Sequence, residues 1–289
     1  MPHRSARARA LVALLLLSLA APAARAGLPE GEAAFARRDW RTAMRELQPL
    51  AEQGNARAQY LMGGIALQGA SPGQTDEAGA IAWYRKAAAQ GLTEAQRELA
   101  FLLLNDKPPR TAEAIAFYRQ AAERGDAEAA YQLGVLYDRG QGVRPDAAQR
   151  NAWWQKAAER NYAPALLALA EMARAGDGMA KSEPMAAGYY RRAAEAGSGP
   201  AALHYARALR DGTGIARDPA QAWEWFSFAL GLGLDPALRE ERDRLQAQVP
   251  PPARAAAEQR ASQRLAALRP APLARPDGNP TLPPAPVRR

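Results

Sequence analysis

Apolar residues recur along this chain at helical steps rather than in strand-like alternation. Between Ala127 and Gly140, Ala129, Leu133, Leu136 and Tyr137 return every three or four positions, a stripe that a helix gathers on one side. Gly140 follows where a left-handed residue is wanted after a helix, and Asp146 precedes the next apolar run as an N-cap. That run carries Trp153-Trp154 and Ala157-Ala158 and closes at Asn161. The pattern predicts a helix, a short connector and a second helix. It then repeats. Aromatic pairs stand at Trp83-Tyr84, Phe117-Tyr118, Trp153-Trp154, Tyr189-Tyr190 and Trp225-Phe226, each followed by small residues and a closing Gly or Asn. The closing residues Gly91, Gly125, Asn161, Gly197 and Gly233 are 34, 36, 36 and 36 apart, and Gly54 extends the series 37 residues upstream. A period in the mid-thirties is that of one helix–turn–helix unit per repeat.

The connectors repeat as well. Gly140-x-Gly142, Gly176-x-Gly178 and Gly212-x-Gly214 are each followed by an apolar residue (Val143, Met179, Ile215) and a cap (Asp146, Ser182, Asp218). The apolar residue reads as a plug between neighbouring hairpins. These Gly-x-Gly elements follow helices and lack a following Gly-Lys-Ser/Thr, so they read as turns and not as phosphate loops. In the second helices, small residues permit close helix approach and aromatics fill the space between hairpins. The early copies are looser. Connectors Gly69–Asp76 and Asn105–Thr111 lack the glycine signature, and one helix expected over Phe35 to Gln53 contains Pro49, which should kink it. Asp235 to Gln248 and Pro251 to Leu268 read as a final helical pair, as expected of a terminal cap. Seven prolines from Pro270 onward predict a disordered tail.

The register from Ala127 to Asn161 resembles the Sel1-like repeat, a tetratricopeptide-related motif of the form Ala-x-Ala-x-x-x-Leu-Gly-x-x-Tyr-x-x-Gly-x-Gly-Val, an Asp cap, then Ala-x-x-Trp-Tyr-x-x-Ala-Ala-x-x-Gly. Gly134 of that signature becomes Ala100, Ala170 and Ala206 in other copies, and Asn161 replaces a glycine. The resemblance implies an all-α fold, a right-handed α/α solenoid of five to six helical hairpins. Its expected boundaries are a partial repeat at 30–54, repeats at 55–91, 92–125, 126–161, 162–197 and 198–233, and a helical cap at 234–268. It also implies a protein–protein adaptor of the bacterial envelope. Some cysteine-rich members are linked to β-lactam binding and hydrolysis, but this chain has no cysteine.

Composition narrows the chemistry. Residues 1–26 read as a cleavable signal peptide, with Arg4, Arg7 and Arg9 before an apolar run and Ala24-Arg25-Ala26 before Gly27. The run is too short to span a bilayer comfortably, so no stable membrane anchor is expected after cleavage, and the mature chain is expected in the periplasm or outside the cell. The sequence pI is near 10. Four of the 38 basic residues nevertheless precede Gly27 and four follow Leu268, leaving 30 against 29 acidic residues between them. A phosphate-tracking groove needs a clustered excess of Lys and Arg, so no nucleic-acid partner is expected. Without cysteine, thiolate zinc sites and cysteine nucleophiles are excluded. His3 lies in the leader, and the remaining His204 reads as an ordinary helix residue. Acidic pairs such as Glu240-Glu241 read as solvated faces. No catalytic residue, cofactor or metal site is expected, and the chain is not expected to be an enzyme.

Binding is expected instead on the first helices, which line the concave side of such a solenoid. The groove set is Arg57, Tyr60 and Gln68, then Arg97, Phe101 and Asn105, then Tyr131, Asp138 and Arg139, then Glu171 and Arg174, then Arg207, Arg210 and Asp211. Arg and Tyr are enriched at binding hot spots. The expected partner is a protein or peptide laid along that groove. Peptidoglycan or an exopolysaccharide is the alternative ligand, and a β-lactam or peptidoglycan hydrolase ranks last.

Overall fold

Helices form wherever the three-to-four-residue apolar stripe is present, and among the described residues no strand occurs. The computed structural model describes residues 27–69 and 75–268. The expected signal peptide, part of the Gly69–Asp76 connector and the proline-rich tail lie outside the described residues. No described helix is long and apolar enough to cross a membrane. The chain forms two compact units, one ending at Gln90 and the other starting at Gly91.

The first unit holds α1 (Leu28–Ala36), α2 (Trp40–Glu52), α3 (Ala56–Gln68) and α4 (Glu77–Ala89). The single helix expected over Phe35 to Gln53 is instead broken. Arg38 takes a left-handed φ of 59°, and the Asp39 carboxylate then caps α2 by accepting from the Thr42 amide at 3.2 Å. The capping signal overrides the continuous apolar pattern, and α2 runs on across Pro49. Ala43, Leu47, Ala58, Leu61 and Ile65 form the core, with Phe35 and Trp40 packed against it.

The second unit stacks four hairpins. They are α5 (Thr93–Asn105) with α6 (Thr111–Glu123), α7 (Ala127–Arg139) with α8 (Ala147–Glu159), α9 (Ala163–Ala175) with α10 (Glu183–Glu195), and α11 (Gly199–Asp211) with α12 (Pro219–Gly231). Each first helix packs on its own second helix, and each second helix on the next first helix. Asp146, Ser182 and Asp218 cap as the sequence indicates, and Asp126 and Ser198 cap first helices in the same way. Asp126, Asp146, Ser182, Ser198 and Asp218 accept from backbone amides at 2.8 to 3.3 Å.

The two glycines of each connector have separate tasks. Gly140, Gly176 and Gly212 are left-handed C-caps. Gly142, Gly178 and Gly214 also have positive φ, but they sit against the preceding hairpin. A Cβ on Gly142 would lie 2.2 Å from Thr111 Cγ2, and one on Gly214 would lie 2.2 Å from the Glu183 carbonyl oxygen. Val143, Met179 and Ile215 beside them are half-buried. Arginines also hold backbone carbonyls: Arg124 donates to the Gly91 carbonyl at 2.8 Å, and Arg192 of α10 to the Ala158 carbonyl of α8 at 2.6 Å. Cations placed on carbonyls at helix ends satisfy acceptors the helix leaves open.

The second member of each aromatic pair is buried throughout, and the first only in some repeats. The second members Tyr118, Trp154, Tyr190 and Phe226 are buried. Among the first members Phe117 and Tyr189 are half-buried, whereas Trp153 and Trp225 are buried, Trp153 with the Lys156 ammonium over its ring at 4.2 Å. Gly134 is explained by its partner, since a Cβ there would lie 2.2 Å from Trp154 Cδ1. Ala100, Ala170 and Ala206 stand in hairpins whose second aromatic is the smaller Tyr or Phe.

Beyond α12 lie α13 (Leu238–Asp243) and α14 (Pro251–Ala267). The helix expected from Asp235 to Gln248 shrinks to six residues, because its buried apolar anchors are only Leu238 and Leu245, with Val249 just beyond. On α14 only Ala257 and Ala261 are buried. Polar contacts add to that packing and to the contact of Leu265 with Gly231. Arg260 and Arg264 pair with the buried Glu224 of α12 at 2.6 and 2.7 Å, and Trp223 donates to Glu258 at 3.1 Å. Glu224 replaces the Ala116, Ala152 and Gly188 of the preceding repeats.

Two comparisons test this packing by urea denaturation. Gly233 has φ of 85° and no atom within 4 Å of a would-be Cβ, so Gly233→Ala should lose about 1–2 kcal/mol from left-handed strain. Gly214→Ala adds a backbone collision and should lose a further 1–3 kcal/mol or so; equal losses would refute the seating role. Tyr118→Ala should lose roughly 3–5 kcal/mol and Phe117→Ala less than about half of that.

Candidate interaction face

The predicted groove residues divide sharply by environment. In the first unit, Arg57 pairs with Glu32 at 2.8 Å and lies 5.3 Å from the Tyr60 ring centroid, while Tyr60 tilts against Tyr84. In the second unit, two of the residues expected in the groove are buried. Phe101 is 7% exposed and Tyr131 1% exposed. Tyr131 lies between Trp154 and Tyr162, and burial pushes its hydroxyl pKa up to about 12. Both side chains are buried, and α7 has α6 and α8 as neighbours on either side.

Two further predicted residues serve the framework. Arg97 reaches Asp126 at 2.7 Å, Glu98 at 3.1 Å and Glu128 at 3.4 Å, so it braces the cap of α7. Asp138 receives Arg150 from α8 at 3.0 Å, and the same guanidinium reaches Asp177 at 3.1 Å. Arg150 is itself buried and joins one hairpin to the connector of the next. Asn105 is exposed, and its amide donates to the Phe101 carbonyl of its own helix at 2.9 Å. Arg139 is exposed at the end of α7.

An accessible strip of charge remains on α9 and α11. Glu171 accepts from the Tyr190 hydroxyl and from Arg174, the latter at 2.7 Å. His204 Nε2 lies 3.7 Å from Glu171, and its ring stacks on Tyr190 with centroids 4.8 Å apart. Arg207 and Arg210 clasp Glu241 of α13. The half-exposed groups are Arg174, His204 and Arg207, with side chains 50%, 37% and 39% exposed. His204 was not among the expected site residues. Its register, shared with the buried polar Glu98 and Gln132 of earlier first helices, is the signal that could have found it.

The electrostatics of the strip follow from its packing. Burial raises the Glu171 pKa, but hydrogen bonds from Tyr190 and Arg174 outweigh it, and the carboxyl is held below its ordinary value. Burial lowers His204; the Glu171 charge opposes this and Arg207 and Arg174 reinforce it, leaving His204 below 6.5. Among the described residues no group of His, Asp or Glu is arranged to hold a metal ion. The strip can exchange ion pairs and hydrogen bonds with a ligand.

Sequence comparison agrees with this architecture. The Sel1 repeat profile matches residues 56–92, 93–126, 127–162, 163–198 and 199–234, more than half of the chain. The chain belongs to the Sel1 repeat family. Sel1 repeats generally mediate protein–protein interaction. Among solved structures, the chain is similar to a protective antigen of uropathogenic Escherichia coli strains with an SLR fold, at 31% identity and a TM-score of 0.64. That match covers 78% of this chain and 48% of the antigen, so this chain spans about half of the antigen's length. A Sel1 repeat protein from Oxalobacter formigenes matches with a TM-score of 0.67 at 24% identity, over 82% of this chain and 99% of that one. Comparison with curated proteins gives no match.

His204 makes the stability of these Sel1 repeats depend on pH. Its folded pKa lies below the unfolded value, so between the two the unfolded chain binds more protons and stability rises with pH. The melting temperature should climb as pH is raised to about 6.5–7, and His204→Gln should flatten that climb. A variant profile identical to the parent's would refute the assignment.

Proposed function

We propose that this Sel1 repeat protein is an exported, non-enzymatic scaffold of the bacterial cell envelope that binds a protein or peptide along the face of its first helices. Export rests on the leader at 1–26 and predicts a mature chain beginning near Gly27. The observation that carries the binding reading is the strip on α9 and α11, where Arg174, His204 and Arg207 stay partly open to solvent. Elsewhere in the second unit, predicted groove residues such as Phe101, Tyr131 and Arg97 serve the core or the caps. A cation held by one internal carboxylate keeps further donors for a ligand, and guanidinium favours carboxylate and backbone acceptors in a planar fork.

The test is capture of a partner by the full chain in periplasmic extract, with the double variant Arg174→Ala, His204→Ala as comparison. The variant should retain its helical circular dichroism and lose at least about tenfold in capture, the equivalent of one or two hot-spot contacts. Undiminished capture by the variant would contradict the reading. So would retention on protease-treated sacculi, which would point to glycan.

A further inference from the structure

Arg207 and Arg210 stand three residues apart on one helix, where like charges repel. The repeat before them solves the same spacing differently. Glu171 and Arg174 occupy the corresponding positions of α9, and they neutralise each other at 2.7 Å. In α11 the acid has become Arg207; Arg210 pairs with its neighbour Asp211 at 2.7 Å, and the carboxylate that spans both arginines comes from outside the helix. Glu241 accepts from Arg207 Nε at 3.0 Å and Nη2 at 2.5 Å, and from Arg210 Nη1 at 2.9 Å. Three charge-assisted hydrogen bonds on one carboxylate make a strong and geometrically specific grip.

We propose that Arg207 and Arg210 form a carboxylate-binding site which the free protein fills with its own Glu241, and that a glutamate-bearing peptide of the partner displaces it. The proposal rests on the reading of the first-helix face as the interaction face, and it adds the ligand class and a built-in competitor. Glu241 belongs to a six-residue helix flanked by turns. Leu238, Leu245 and Val249 anchor that segment by burial, so releasing one carboxylate leaves the segment seated. The arginines keep 39% and 28% of their side chains exposed, which leaves an approach from solvent. Arg174, in the same register as Arg210 one repeat earlier, offers a second carboxylate position along the strip. The occupant already in place is a glutamate presented from a helical turn, so the site is shaped for an acidic peptide in preference to a uronic-acid chain.

An internal competitor lowers apparent affinity in proportion to its occupancy. The experiment measures binding of fluorescein-labelled decaglutamate to the full chain by anisotropy at low salt. Glu241→Gln should bind about tenfold more tightly than the parent, a tenfold gain meaning the site is free only about a tenth of the time in the parent. Glu241→Asp, which keeps the charge on a shorter stem, should gain less. Glu240→Gln removes an equal charge from the exposed neighbour and should leave affinity unchanged. Adding Arg207→Gln and Arg210→Gln to Glu241→Gln should abolish the gain. The proposal is overturned by no gain in either Glu241 variant, by an equal gain in Glu240→Gln, or by a gain that survives loss of both arginines. An equal gain for oligogalacturonate overturns the choice of peptide. If the Glu241 variants are silent while Arg174→Ala, His204→Ala still loses the partner, the face stands and the internal competitor is refuted.

Discussion

The close meeting of a small residue on each first helix with a large aromatic on its second helix sets the geometry on which everything else depends. Gly134 lies so near Trp154 that a methyl group would collide with the indole. Ala100, Ala170 and Ala206 are wholly buried, and Tyr118 and Phe226 have no exposed surface. Helices packed at that distance leave no room for ligand between them, so the aromatic pairs are framework. The constraint also fixes the period, because each hairpin must present the same small-to-large pairing to align with the next. A side chain that departs from the pattern is therefore excused from packing and open to another use.

Polar contacts follow the same division. Between hairpins they secure ends: capping carboxylates on amides, Arg124 and Arg192 on carbonyls, and Arg150 across two aspartates. At the C-terminal end the balance shifts. The segment holding α13 and α14 has few buried apolar side chains, and its contacts with α11 and α12 are largely ionic. Trp223 and Glu224 appear where earlier repeats keep small or modest side chains, which marks this repeat as the one that receives a cap.

Much of this architecture was legible in the sequence, because helical periodicity, Gly-x-Gly connectors and Asp or Ser caps are local signals. Asn161 does adopt the left-handed conformation expected of it, with φ of 54°. What escaped were the features set by neighbours. The break at Arg38 reflects competition between Asp39 as a cap and a continuous apolar stripe. Tyr131 and Phe101 read as groove residues by analogy of position, but position alone does not show that both side chains are buried. His204 was passed over because a single histidine carries no motif, and its meaning comes from Tyr190 and Glu171 on other helices. Glu241 looked like solvated charge, since its arginine partners lie more than thirty residues away.

The central claim is that binding belongs to the first-helix face and that the aromatic ladder of the second helices is framework. Site-specific photocrosslinking in living cells tests it most directly. A photoreactive residue at Leu203, beside His204 on α11, should join the chain to its partner. The same residue at the exposed Arg191 on α10 should not. Crosslinks arising from position 191 and absent from position 203 would contradict the account.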